Sequence, residues 1–175
     1  MIQHPNQRIA IYTDVQNLYY AARNLYNDRV NYTQLLELAV AGRQLVRAFA
    51  YVIRAENAEE NRFFDALFNI GFEVREKDLQ VYAGRSKGDW GVGMSIDAVQ
   101  MADKTDVAVL ITGDGDFVPL VEYLRFKGVM VEIICFGRTT SNKLIESADQ
   151  FIDLDYHYEE ILLGTQQEQE HEPEV

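Results

Sequence analysis

Four aspartates from three separate stretches are the residues whose types and spacing could do chemistry. Asp14 ends the run Arg8-Ile-Ala-Ile-Tyr-Thr13, and Asp97 interrupts the otherwise apolar or small segment from Gly91 to Ala102. Asp114 and Asp116 follow the apolar run Val107-Ala-Val-Leu-Ile111 within Thr112-Gly-Asp-Gly-Asp-Phe117. Carboxylates this close repel each other unless a cation or a shared proton relieves them. Oxygen donors without His or Cys select hard divalent ions, Mg²⁺ or Mn²⁺, which keep several waters and share phosphate oxygens with a substrate. The reaction that needs such a site is phosphodiester hydrolysis, because a metal lowers the pKa of a bound water, orients it in line and stabilises charge on the leaving oxygen. Each aspartate also has a plainer role open to it. An Asp after a strand often caps the next helix, and Asp97 could be a surface position. A cap accounts for one of the pair at 114 and 116 but not for both.

The elements that must position these residues alternate between strand and helix. The runs at 8–13 and 107–111 are apolar without alternation, as in parallel strands covered on both faces, and both end at acidic residues. Glycines at 113 and 115 are expected to let the backbone turn tightly there. Leu45–Ile53 reads as a strand with Arg47 as its charge, Phe72–Arg75 as a short strand, and Val129–Phe136 and Phe151–Leu154 as the later ones. Helices are expected after Asp14, over Tyr32–Val40 with Gly42 as its stop, over 55–70, from about Asp89 to Ala102, over Phe117–Phe126 and over Lys143–Ala148. In the third of these, Phe63, Phe64, Leu67, Phe68 and Ile70 form an apolar stripe expected in the core. Such alternation implies right-handed crossovers, a mainly parallel sheet of five or six strands and a three-layer α/β/α fold. Open α/β sheets bind ligands at the carboxyl ends of their strands, where Asp14, Asp114 and Asp116 fall. The helix carrying Asp97 must return antiparallel to the next strand, which brings its N-terminal half toward that edge, and Gly93 one turn earlier would leave room for a ligand.

Around the acidic centre stand residues that could meet a substrate. Asn17, in the first turn after Asp14, could hold a water or orient a carboxylate. Leu79–Tyr82 could form a short edge strand, leaving Arg85, Lys87 and Gly88 as a basic loop in which Lys87 meets a phosphate. Arg138, Ser141 and Asn142, in the loop after the strand at 129–136, could line a substrate groove, with helix capping the alternative for Ser141 or Asn142. The three histidines, 4, 157 and 171, are scattered near the termini and make no ligand set.

Length and composition set the outer bounds. The 175 residues, 47% hydrophobic, suit one domain, with a leader at 1–7, a domain at 8–163 and an acidic, disorder-prone tail at 164–175. No run is apolar enough to span a membrane and residues 1–8 lack a signal-peptide pattern, so a cytoplasmic protein is expected. Cys135, the only cysteine, lies in an apolar run and reads as a buried core thiol. The net charge of −12 argues against a polyanionic partner. Eight of the acidic residues lie from Asp153 onward, where no Lys or Arg occurs, so the preceding 152 residues carry 20 acidic against 16 basic, a net of −4. Bound divalent metal would cancel that.

With these stretches in view, the chain resembles the NYN domains of the LabA-like group, relatives of the PIN-domain ribonucleases. The features that carry the resemblance are Asp14-Val-Gln-Asn17, Lys87-Gly88 leading to the helix with Asp97, Thr112-Gly-Asp-Gly-Asp-Phe117 and Ser141-Asn-Lys-Leu-Ile-Glu-Ser-Ala-Asp-Gln-Phe151. The resemblance spans roughly residues 8 to 154. It implies a PIN-like sheet with strand order 3-2-1-4-5 and Mg²⁺- or Mn²⁺-dependent endonucleolytic cleavage of single-stranded or structured RNA. It also implies catalytic and metal-binding roles for Asp14, Asp97, Asp114 and Asp116, with a family Asn at Asn17. The alternative is a regulatory module that binds RNA or protein without turnover, with a homo-oligomer or protein partner open in either case.

Overall fold

The structure, a computed structural model, describes residues 3–54, 58–78, 80–82, 85–87 and 89–164, with 58–59, 80–82 and 85–87 described by their backbone alone. The elements in chain order are β1 (Arg8–Asp14), α1 (Val15–Tyr26), α2 (Tyr32–Val40), β2 (Gln44–Arg54), α3 (Ala58–Ile70) and β3 (Glu73–Asp78). There follow β4 (Gln80–Tyr82), β5 (Arg85–Lys87), α4 (Gly91–Met101), β6 (Val107–Ile111), α5 (Val118–Phe126), β7 (Met130–Cys135), α6 (Asn142–Ser147), β8 (Gln150–Asp153) and α7 (Tyr158–Ile161). Six strands form one parallel sheet in the order β3-β2-β1-β6-β7-β8. This is the expected order 3-2-1-4-5 with a sixth strand added at the far edge. The short β4 and β5 pair antiparallel with each other and stand outside that sheet. Residues 85 to 87, expected as a loop, therefore belong to a hairpin strand.

The unbroken apolar runs follow from burial on both faces. Ile9, Ile11, Val107, Val109 and Ile111 face a core shared with α1, α2 and α3. Ala10, Tyr12, Ala108 and Leu110 face the opposite core, shared with α4, α5 and α6. A strand covered on one side only would have alternated in polarity. The stripe on α3 is narrower than its sequence suggests: Phe64 and Leu67 are buried, whereas Phe68 is 70% exposed. α2 ends with Ala41, not only Gly42, in the left-handed region, at φ 48° and 72°.

Glu132 lies fully buried in β7, within what reads as an apolar run. Arg43, just before β2, meets it with two parallel hydrogen bonds of 2.7 and 2.8 Å and also donates to the carbonyls of Val40 and Ala39. The guanidinium thus ties the end of α2 to the middle of β7, and every charge in the contact is paired. Removing one partner of such a pair strands the other charge in the core, at a cost of about 3–5 kcal/mol. We expect Glu132→Ala to lower stability by that amount in urea denaturation, and Arg43→Leu combined with Glu132→Leu to recover most of it.

Candidate functional site

The carboxyl edge of the sheet is where β1 and β6 run out side by side. Thr13 pairs with Ile111, so Asp14 and Thr112 leave the sheet in register. The backbone bends at Asp14, whose carboxylate accepts the N–H of Asn17 at 3.0 Å and so caps α1. The Asn17 side-chain oxygen accepts the N–H of Gly113 at 2.9 Å. One side chain therefore clamps the first turn of α1 to the loop after β6. In that loop the N–H of Asp114 donates to Thr112 Oγ1 at 3.2 Å, and the carboxylate of Asp114 accepts the N–H of Asp116 at 2.9 Å, starting a single 3₁₀ turn at Gly115–Phe117. Both Asp14 and Asp114 are thus caps. That role leaves a second oxygen on each.

The glycines of this loop serve close approach more than turning. Neither Gly113 nor Gly115 has a positive φ. A Cβ on Gly113 would meet the backbone of Thr139 and Thr140 at 3.0–3.2 Å, and one on Gly115 would meet Ser141 Oγ at 2.7 Å. The loop after β7 is packed directly on the Asp114 turn, and the N–H of Ser141 donates to the carbonyl of Gly113 at 2.9 Å. Ser141 occupies the N-cap position of α6, yet its hydroxyl makes no capping hydrogen bond, and the exposed Asn142 is the first residue of that helix.

Electrostatically, Asp14 is the strained member. Burial raises its pKa first and the charge of Asp114 adds to the rise, while hydrogen bonds from Asn17, Thr112 and Gln16 pull the other way. Among the described residues, neither Asp14 nor Asp114 forms an ion pair with Lys, Arg or His. Cys135, at the end of β7, is fully buried, and burial pushes its thiol up to about 11, so it stays protonated at neutral pH and is no nucleophile.

Asp97 is held toward β2 and β3. Its Oδ2 accepts the Tyr51 hydroxyl at 3.0 Å and lies 3.4 Å from Arg75 Nε. Gly93 leaves no space for a ligand, because the ring of Trp90 fills the position its Cβ would take, at 2.6 Å. Trp90 itself is fixed by donating from Nε1 to the carbonyl of Val52 at 2.8 Å. The fourfold convergence expected from the sequence is therefore not formed. Asp14 and Asp114 interact and Asp116 adjoins them, whereas Asp97 is tied elsewhere. Among the described residues, no three His, Cys, Asp or Glu side chains are grouped to hold a metal ion.

Arg138 is likewise tied to other partners. Its guanidinium donates to Asp155 Oδ1 at 2.9 and 3.1 Å and lies over the ring of Tyr26 at 4.9 Å. The side chain of Lys87 lies outside the described residues. Sequence reasoning missed Thr112, Tyr51 and Arg75, which depend on register across strands. It also missed a cleft of about 690 Å³ between α4 and the Asp116 turn, lined by Asp89, Val92, Ile96, Val99, Gln100 and Asp116 among others. Spacing of Val92, Ile96 and Val99 along one side of a helix was the available signal for it.

The family profile of the NYN domain matches residues 8–155. Over 163 residues the chain is 27% identical to the Low amplitude and bright protein LabA of Synechococcus elongatus, covering 84% of this chain and 83% of that protein. A protein of unknown function from Vibrio parahaemolyticus, solved by crystallography, superposes with a TM-score of 0.84 at 36% identity, covering 93% of this chain and all of that one.

The raised pKa of Asp14 has a consequence for stability. A carboxyl group whose folded-state pKa exceeds its unfolded value favours folding most below the unfolded pKa, and that contribution is lost as pH rises through the folded pKa. Asp14→Asn keeps an oxygen for the Asn17 N–H and carries no charge. Without divalent cations, we expect it to unfold at a higher urea concentration than the wild type at neutral pH. The difference should shrink in acid, as read from denaturation midpoints across a pH series.

Proposed function

This chain belongs to the NYN domain family, and from that premise we propose that it is a divalent-metal-dependent endoribonuclease whose reaction centre is built on Asp14 and Asp114. NYN domains generally bind RNA, and PIN-like nucleases generally use divalent metals. The observation that carries the reading is a half-buried carboxylate facing a second one at the carboxyl edge of two adjacent strands, with no basic side chain paired to either among the described residues. Such a pair fits Mg²⁺ or Mn²⁺, which take one or two carboxylates and complete their shells with water and substrate phosphate. Asp14 and Asp114 would hold the ion through the oxygens not used as caps. When bound, it supplies charge neutralisation at the phosphate and a more acidic water.

The remaining steps belong to the chain itself. Asn17 keeps Asp114 opposite Asp14 by fixing the Gly113 amide. Asp116, exposed beside them, accepts a hydrogen bond from the attacking water and aligns it. The water oxygen forms one bond to phosphorus as one ester P–O bond breaks, the proton lost by the water passing to Asp116 and the leaving oxygen taking a proton from solvent water. Ser141 and Asn142, at the start of α6 against the Asp114 turn, together with Lys87, contact phosphates. Arg138 joins them only by leaving Asp155. Asp97 supports the site at one remove, through Tyr51, which is paired in register with Asp14.

The tether on Asp97 favours one second reading, a module that binds RNA without turnover, because it leaves three carboxylates and not four at the centre. Labelled single-stranded RNA incubated with Mn²⁺ separates the two. Hydrolysis predicts cleavage abolished by EDTA and reduced on the order of 10²-fold or more by Asp14→Asn or Asp114→Asn. Asp97→Asn, which still accepts from Tyr51, should lose only about 10-fold. Binding with no cleavage in Mn²⁺ would establish the second reading instead.

A further inference from the structure

The cleft beside Asp116 has a character that the hydrolytic site does not require. Its helix wall presents Val92, Ile96 and Val99, which are 72%, 50% and 40% exposed. These three recur along one side of α4, the side turned away from the buried Met94, Ala98 and Met101. Its polar positions include the carboxylates of Asp89 and Asp116 and the amide of Gln100, and among the described residues no Lys or Arg lines it. We propose that this cleft is a nucleobase subsite of the RNA-hydrolysing centre, selecting bases that carry an exocyclic amino group. The proposal rests on the reading of the chain as an RNA-binding nuclease and names which part of the strand the cleft receives.

Three observations select this occupant. The carboxylates of Asp89 and Asp116, with no lysine or arginine among the described residues of the lining, repel a phosphate, so the sugar-phosphate backbone runs past the cleft and not into it. A base is neutral and apolar on both faces, matching the aliphatic wall, and a splayed single strand turns its bases outward toward such surfaces. The rim then reads the edge of the base: carboxylates accept from the amino groups of cytosine, adenine or guanine, whereas uracil offers one N–H flanked by two carbonyls. Continuity fixes the register, since Asp116 belongs both to the cleft and to the loop of Asp114. A second copy of the chain fits less well. Three aliphatic side chains on one helix fall well short of the ~800 Å² per partner that a stable interface buries. The volume, about 690 Å³, is that of a small-ligand pocket.

The test compares binding of fluorescent 2′-O-methyl decamers of cytidine, of uridine and of an abasic ribose-phosphate chain. Affinities are read by anisotropy in Ca²⁺, with strand integrity checked by electrophoresis. The cytidine strand should bind at least about 5-fold more tightly than the uridine strand, and the uridine strand no weaker than the abasic one. The triple variant Val92→Ala, Ile96→Ala, Val99→Ala changes only exposed helix positions to the best helix former. It should bring cytidine binding down to the abasic level and leave abasic binding unchanged. Asp89→Asn, which still caps Gly91, should narrow the preference for cytidine over uridine. Equal affinity for the base-bearing and abasic strands, binding to none of them, or a triple variant that binds cytidine like the wild type would overturn the proposal. So would a wild type that self-associates in sedimentation while the triple variant does not, since the cleft would then be a contact between copies. Cleavage of ordinary RNA in Mn²⁺ is read separately. Base-selective binding without cleavage would remove the hydrolytic reading and leave the base subsite standing.

Discussion

The register between β1 and β6 is the constraint on which the rest of the molecule depends. Because Thr13 lies opposite Ile111, the two chains leave the sheet together, and the first residues that each has to spare are Asp14 and the Thr112–Asp116 turn. A slip of one residue would send Asp14 to the other face of the sheet and Ile9 and Ile11 into the wrong core. The hydrophobic pattern that buries β1 on both sides therefore also determines where its terminal carboxylate points. The hydrogen bond from the Gly113 N–H to Asn17 then locks the turn to α1. Core packing and local capping thus agree on one arrangement, even though that arrangement brings two negative charges together.

That arrangement is electrostatically uphill. Burial and the neighbouring Asp114 both raise the pKa of Asp14, and the hydrogen bonds it accepts as a cap only partly offset them. Elsewhere the chain pairs its charges closely: Arg43 with Glu132 in the core, Arg47 with Glu73 across β2 and β3, and Arg8 with Asp106 at the opposite edge of the sheet. Asp97 follows the same habit, drawing on Arg75 and Tyr51. Asp14 and Asp114 stand outside it among the described residues. In the proposed reading, this break in a rule obeyed all around it is what a bound cation would relieve.

Much of the fold was legible in the sequence because burial on both faces writes itself directly into composition. The runs at 8–13 and 107–111 could belong only to covered strands, and the alternation of elements required parallel crossovers. Strand order was a different matter, since periodicity cannot say which strand neighbours which, and it came from the family resemblance. The site divided along the same line. Asp14, Asn17, Asp114 and Asp116 could be read because each sits within a few residues of a strand end. Asp97 could not be placed, because its partners Arg75 and Tyr51 come from β3 and β2 and their geometry depends on packing. Gly113 and Gly115 were correctly singled out for the wrong reason: they make room for the loop at 139–141 and do not adopt left-handed backbone. Phe68 shows the limit of reading a helix stripe by composition, since a three-layer fold buries only the part of α3 that meets the sheet and α2.

If the chain binds RNA as proposed, the division of charge along the sheet edge accounts for how an acidic protein addresses a polyanion. Phosphate affinity usually comes from lysine and arginine, and eight of the chain's 16 are already held in ion pairs with carboxylates. In the proposed reading the attraction comes instead from a cation shared between protein carboxylates and substrate phosphate, with the base held separately by an apolar wall. Neither element alone would bind a strand well: the cation is weakly held without the phosphate that completes its shell, and a single base in an exposed cleft contributes little. Joined through the turn that carries Asp114 and Asp116, each raises the effective concentration of the other's ligand, so binding by such a surface depends on metal and base at once.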